Sequence, residues 1–151
     1  MCGGCYALYN KGNALDNLGK YEEGIASFDK VLATSPNDTS ALTNKGNALN
    51  SLGKYQEAII WLDKTLATSP NDTSALTNKG NALNSLGKYN EAITSYDKAL
   101  GIDANNTYAL YNKGNALANL TKYEEAIASY DKVLAISPNY TDALTNMHFT
   151  F

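Results

Sequence analysis

Apolar positions in this chain come in short bursts with a helical period. Ala7, Leu8, Ala14, Leu15 and Leu18 fall on one side of a helix at 3.6-residue spacing. Gly19 follows, a residue that closes a helix in the left-handed conformation at low steric cost. A second stripe then runs through Tyr21, Gly24, Ile25, Phe28, Val31 and Leu32. Glu22 and Glu23 open it, where acids meet the positive end of the helix dipole, and Pro36 stops it. The pattern predicts a helix, a tight turn and a second helix.

This pattern recurs at a fixed step. Asn-Lys-Gly-Asn-Ala-Leu begins at Asn10, Asn44, Asn78 and Asn112, 34 residues apart each time. Thr39 to Tyr55 and Thr73 to Tyr89 are identical, as a recent tandem duplication would leave them. The units are drawn at 5–38, 39–72, 73–106 and 107–140, with a partial fifth unit or capping helix at 141–151. Helices are expected at 6–18, 21–34, 40–52, 55–68, 74–86, 89–102, 108–120 and 123–136, with a last one from 141. Neither helix of a unit can bury its stripe alone, so stacked hairpins in a single array are the expected solution.

The spacing resembles the tetratricopeptide repeat, whose pattern places small residues, an aromatic and a proline at set positions over 34 residues. Gly12, Gly46, Gly80 and Gly114 match the small residue where the two helices touch. Ala58, Ala92 and Ala126 match the second small position, which Gly24 holds in the first unit. Phe28, Tyr96 and Tyr130 match the aromatic, with Leu62 in its place in the second unit. Leu8, Leu42, Leu76, Leu110 and Leu144 stand where the family often has tryptophan. The resemblance implies an all-α fold, a right-handed superhelical solenoid of helix-turn-helix units.

Some positions depart from the pattern. Lys11, Lys45, Lys79 and Lys113 lie inside the apolar arc, and a buried ammonium needs an acid or water. Asp29, Asp63, Asp97 and Asp131 repeat in step with them and are the candidate partners. Ala104 replaces the stopping proline of the third unit, leaving Asn105 and Asn106 to end the helix. Thr121 replaces the turn glycine of the fourth unit.

Composition narrows the function. Net charge is −3 and all twelve basic residues are lysine, so there is neither a basic footprint for nucleic acid nor a guanidinium fork. Ala58 to Leu62 is the longest apolar run, too short for a bilayer span. The Met-Cys-Gly-Gly-Cys start lacks the charged and apolar regions of an export signal, and a cytoplasmic location is expected. No glycine-rich phosphate loop appears, and His148 sits at the chain end, so no catalytic constellation or cofactor is expected. Cys2 and Cys5 have redox or half-zinc spacing, but no second pair or βαβ context accompanies them. Of the five Asn-x-Thr triplets, those at Asn37, Asn71, Asn105 and Asn139 fall in inter-unit turns, where such residues start helices.

In the family it resembles, the first helices line a concave groove that holds a peptide. The corresponding surface here carries Tyr9, Asn13, Thr43, Asn44, Asn47, Thr77, Asn78, Asn81, Tyr111, Asn112 and Asn115. Tyr6, Asp16 and Asn17 share the wheel sector of Tyr9 and Asn13. Some members clamp a chaperone's terminal carboxylate with lysine, arginine and asparagine. Asn13 and Asn44 match the asparagines of that clamp, but Tyr9, Ser74 and Asn78 stand at its cationic positions. The alternative role for Asn44 and its equivalents is a bond to the neighbouring unit. Trp61, with Ile60, is read on the outer side of its helix, in the column of Ser27, Ser95 and Ser129, either as an exposed anchor or partly covered by its neighbours.

The expected function is a protein-interaction module, a scaffold or adaptor that holds a peptide or protein segment, with no nucleic-acid or membrane partner. The rival is a self-associating structural fragment, a homo-oligomer joined through its terminal repeats. In that rival Ala143, Leu144, Met147 and Phe151 cover the fourth unit incompletely. A thiol or metal protein working through Cys2 and Cys5 ranks third.

Overall fold

A computed structural model of the chain describes residues 3–149, with side chains as far as Asn146. Cys2, Phe151 and the side chains of Met147 and His148 lie outside the described residues, and so do the roles expected of them.

The helices are α1 (Cys5–Asn17), α2 (Tyr21–Thr34), α3 (Thr39–Ser51), α4 (Tyr55–Thr68), α5 (Thr73–Ser85), α6 (Tyr89–Ile102), α7 (Thr107–Asn119), α8 (Tyr123–Ile136) and α9 (Thr141–Phe149). Among the described residues there is no strand. None of these helices is long and apolar enough to cross a membrane. Second helices have the expected bounds, whereas the first helices begin and end one residue early. At the starts of α3, α5 and α7 the cause is capping. Asp38, Asp72 and Asn106 side chains accept the backbone N–H of Ala41, Ala75 and Ala109 at 2.9, 2.8 and 3.0 Å. That makes Thr39, Thr73 and Thr107 the first helical residues.

Each hairpin turns on a residue of positive φ: Gly19 at 73°, Gly53 at 75°, Gly87 at 75° and Thr121 at 60°. The next N–H reaches back across the turn, Lys20 to the Leu15 carbonyl at 2.9 Å and Lys122 to Leu117 at 3.0 Å. Where Ala104 replaces proline, Asp103 helps end the helix by accepting the Asn105 N–H at 3.1 Å.

Within a hairpin the helices touch at glycine. A Cβ on Gly12 would lie 2.5 Å from Phe28, one on Gly46 2.6 Å from Leu62, and one on Gly80 2.5 Å from Tyr96. Those three partners are fully buried, as is Tyr130 opposite Gly114. Between units Ala41 and Leu42 pack with Val31 and Leu32 of the preceding hairpin, while Leu49 packs with Ala58 and Leu62 of its own unit and Ala75 of the next. α1 has no preceding hairpin. Its Ala7 and Ala14 are therefore exposed, and Leu18 is 73% exposed, so the stripe read in the sequence is only partly covered there.

The lysine column finds its acids one unit back. Lys79 reaches Asp63 and Lys113 reaches Asp97, each at 2.6 Å, and Lys45 pairs with Asp29. Lys45 is the most buried of these lysines, with its Nζ 3.5 Å from the Trp61 ring centroid; Lys64 approaches the same ring at 3.9 Å. Trp61 is thus half-buried at the seam between units, not on the outer side. The column it shares is interior as well. Ser27, Ser95 and Ser129 are buried and donate to the carbonyls four residues back. Ile60 does face outward, 56% exposed. Cys5 packs with Leu8, Val31, Leu32, Ala41 and Leu42, so it belongs to the core and not to a loose leader.

At the other end α9 stands where the first helix of a fifth unit would be. Ala143 is buried against the fourth unit, but Leu144 is 41% exposed, unlike Leu42, Leu76 and Leu110.

Candidate functional site

The first helices are asparagine-rich on the side turned from the second helices, and the structure divides these asparagines into two kinds. Inner ones tie units together. The Asn44 Nδ2 donates to Tyr9 Oη at 2.9 Å and to Asn13 Oδ1 at 2.8 Å. Asn146 repeats this one end later, with Tyr111 Oη and Asn115 Oδ1 both at 2.9 Å. In the middle units, threonine stands in the tyrosine column. There Asn50 Nδ2 instead reaches the Asn78 carbonyl at 2.9 Å.

The outer asparagines are anchored through their oxygens. Asn81 Oδ1 accepts the Tyr96 hydroxyl at 2.9 Å, and Asn115 Oδ1 accepts that of Tyr130 at 2.7 Å. Both phenols are buried, and desolvation pushes that of Tyr130 up to about 12 and that of Tyr96 higher still. They remain neutral donors through the physiological range. Asn13 Oδ1 is held by Asn44. With their oxygens engaged inward, the Nδ2 groups of Asn13, Asn81 and Asn115 are left as donors for anything lying on this surface. Asn47 is exposed, and in its unit Leu62, which has no hydroxyl, stands in the column of Tyr96 and Tyr130.

Recesses follow one another along this surface. One of about 310 Å³ is lined by Asn13, Asp16, Asn17, Asn44 and Asn47. A second of about 240 Å³ takes in Asn47, Asn50, Ser51, Tyr55, Asn81 and Ser85. A third of about 460 Å³ lies among Asn84, Asn115, Asn119, Tyr123, Tyr130 and Asn146. A smaller one of about 160 Å³ lies between Ser74, Thr77, Asn78, Asn106 and Tyr108. Asp16 is the one charged residue lining any of these four. Burial without a hydrogen-bond partner for its Oδ1 pushes its carboxyl up to about 6.

The structure sorts the residues expected from sequence. Asn13, Asn44, Asn47, Asn78, Asn81 and Asn115 line the recesses. Thr77 borders the smallest one but is 5% exposed, and its hydroxyl bonds its own helix at Thr73. Thr43 is 6% exposed and reaches Thr65 Oγ1 at 3.2 Å, so it belongs to the interior. Tyr9 and Tyr111 are half-buried, with rings packed on Phe28 and Tyr130 and hydroxyls taken by asparagine. Asn112 is half-buried. Tyr55, Tyr123 and Asn146 also line recesses; the first two open second helices, and only the stacking of units brings them to this surface.

Comparison with known proteins agrees with this architecture. The tetratricopeptide repeat model matches residues 9–73. A tetratricopeptide-type model described as anaphase-promoting complex, cyclosome, subunit 3, matches residues 51–133. No curated protein sequence matches. Among solved structures, MamA from Desulfovibrio magneticus RS-1 shares the fold at TM-score 0.87 and 24% identity, over 99% of this chain and 85% of that one. The first tetratricopeptide domain of Spaghetti (RPAP3), bound to the HSP90 peptide SRMEEVD, aligns at TM-score 0.72 and 30% identity, over 74% and 89%. YrrB, described as having an unusual peptide-binding site, aligns at TM-score 0.75 and 25% identity, over 95% and 74%. The chain belongs to the tetratricopeptide repeat family.

Proposed function

We propose that this chain is a non-catalytic interaction module that holds an extended peptide or protein segment along its first helices. The observation that carries this reading is that Asn13, Asn81 and Asn115, whose side-chain oxygens are bonded within the fold, line successive recesses, which leaves their Nδ2 groups as the available donors. Such donors suit the carbonyl row of an extended chain. The peptide in the RPAP3 structure and the peptide site of YrrB make a peptide the favoured ligand class here too. An acidic chaperone tail is not the favoured ligand. The clamp's cationic positions hold Tyr9, Ser74 and Asn78, and Asp16 adds a negative charge.

The test is selection from a random octapeptide library, followed by affinity measurement on the Asn47→Ala variant. The Asn47 side chain is exposed and has no hydrogen bond among the described residues, where only its backbone carbonyl accepts from Ser51. Its loss should therefore weaken binding about 3- to 10-fold and leave the melting temperature unchanged. Equal affinity, or a library that yields no binder, would refute the reading.

A second reading is self-association through the ends, and one observation favours it. Three Lys–Asp pairs link the units internally, leaving Lys11 at the first unit and Asp131 at the fourth without partners among the described residues. A second copy could bring its Lys11 to Asp131 if α9 gave up its place. Sedimentation of Lys11→Glu, of Asp131→Lys and of their equimolar mixture tests this. Single variants should be monomeric and the mixture should pair. A wild-type chain that stays monomeric at high concentration would end this reading.

A further inference from the structure

Asp16 differs from the other acids of the chain. Asp29, Asp63 and Asp97 meet lysines, and Asp38 and Asp72 cap helices. Asp16 meets none of the described lysines, and its Oδ1 is buried without a hydrogen-bond partner, as are the Oδ1 atoms of Asn50 and Asn84 at the equivalent positions. In the first unit alone that place holds an ionisable group. Nothing in the repeat demands an acid there, because the equivalent positions are the neutral Asn50, Asn84 and Ala118.

A second departure accompanies the first. The small residue opposite is alanine in the other units, as Ala58, Ala92 and Ala126, but Gly24 in this one. A Cβ on Gly24 would collide with Asp16 Oδ1. Asp16 Oδ1 thus packs over Gly24, while the Asp16 residue lines the first recess with Asn13, Asn17, Asn44 and Asn47.

We propose that Asp16 makes this recess a site for an organic cation, so that the bound segment places an ammonium or guanidinium group there. The inference rests on the peptide-groove reading and deepens it. A partly desolvated carboxylate without a protein cation gains most from a ligand that brings one, through a charge-assisted hydrogen bond. Neighbouring amide oxygens can take the remaining N–H donors of such a group. A single carboxylate among amides does not supply the oxygen set of a hard metal ion, so the chemistry points to a nitrogen cation. An acidic terminal segment would be repelled from the same place.

The test uses the full chain and small probes at pH 7.5, read by NMR at the Asp16 carboxyl carbon and neighbouring amides. Nα-acetyl-lysine amide carries a side-chain ammonium, Nα-acetyl-arginine amide a guanidinium, and alanine amide the ammonium of a chain start. Nα,Nε-diacetyl-lysine amide is the neutral control. At least one cationic probe should shift Asp16 together with Asn13, Asn17, Asn44 and Asn47, and which probe does so names the source. The neutral control should not, and Asp16→Asn should abolish the response. No response to any cation, an equal response to the control, or a response that survives Asp16→Asn would overturn the proposal. Selected peptides that lack a cation and bind Asp16→Asn as well as wild type would overturn it while leaving the groove reading intact. A cation response with no selectable peptide would instead remove the groove reading alone.

Discussion

In the first unit the Asp16 side chain fills the space over Gly24 that an alanine methyl occupies in the other three. The fourth unit holds Ala118 opposite Ala126 and shows that two small side chains also fit. Gly24→Ala alone should therefore displace the carboxylate and destabilise the fold by about 1–3 kcal/mol, as overpacking does. The double variant Asp16→Ala with Gly24→Ala should recover most of that loss. Chemical denaturation of the three variants checks the cycle, and additive losses would contradict the contact.

The same carboxyl gives the fold a pH dependence of definite sign. Its folded pKa is raised from 3.8 to about 6 by desolvation. The native state therefore binds the proton more tightly than the unfolded chain does. Its ionised form disfavours folding at pH 7, and that penalty fades as pH falls through 6 toward 4. Asp16→Asn should melt higher than wild type at pH 7, with the gap narrowing at pH 5. A gap that widens on acidification would contradict the assignment.

Asn47 and Asn81 are equivalent in sequence but not in role. Asn81 holds the buried hydroxyl of Tyr96, whereas Leu62, in the tyrosine's column, offers Asn47 no hydroxyl. Asn81→Ala should cost about 1–3 kcal/mol by stranding that hydroxyl, and Asn47→Ala almost nothing. Matching melting curves for the two would show the anchor to be unimportant.

The lysine pairs should also differ in strength. Lys79 and Lys113 are partly solvated, while Lys45 is buried and lies over Trp61. Lys79→Ala should cost at most about 1 kcal/mol. Lys45→Ala should cost roughly 1 kcal/mol more, because it also loses the ring contact. Equal losses in urea titration would count against the stacking.

Much of the fold was legible because its signals are local. Gly19, Pro36 and the acids at Glu22 and Glu23 punctuate the first hairpin within a few residues, most of these signals recur in the later ones, and the step of 34 residues fixes the array. What a helical wheel could not supply is which neighbour covers each sector. Thr43 was expected on the binding surface, yet the packing of α4 turns it onto Thr65. Trp61 and the serines of its column were read on the outer side of the helix, yet the serines are buried and Trp61 packs at the seam with the preceding unit, with Lys45 over its ring. The Lys–Asp partners were legible as columns, but their one-unit offset follows from stacking. The same holds for Tyr55, Tyr123 and Asn146, which reach the recesses from helices beyond the one that was read.

The central claim, a binding surface built from outward Nδ2 groups on the first helices, is tested most directly at those groups. Asparagine side-chain amide NMR, recorded as a library-selected octapeptide is titrated into the full chain, reads them individually. The account predicts shifts at Asn13, Asn47, Asn81 and Asn115, with the Trp61 indole and the Ile60 methyl groups unmoved. Shifts confined to Ile60 and Trp61, with the four amides unchanged, would contradict it.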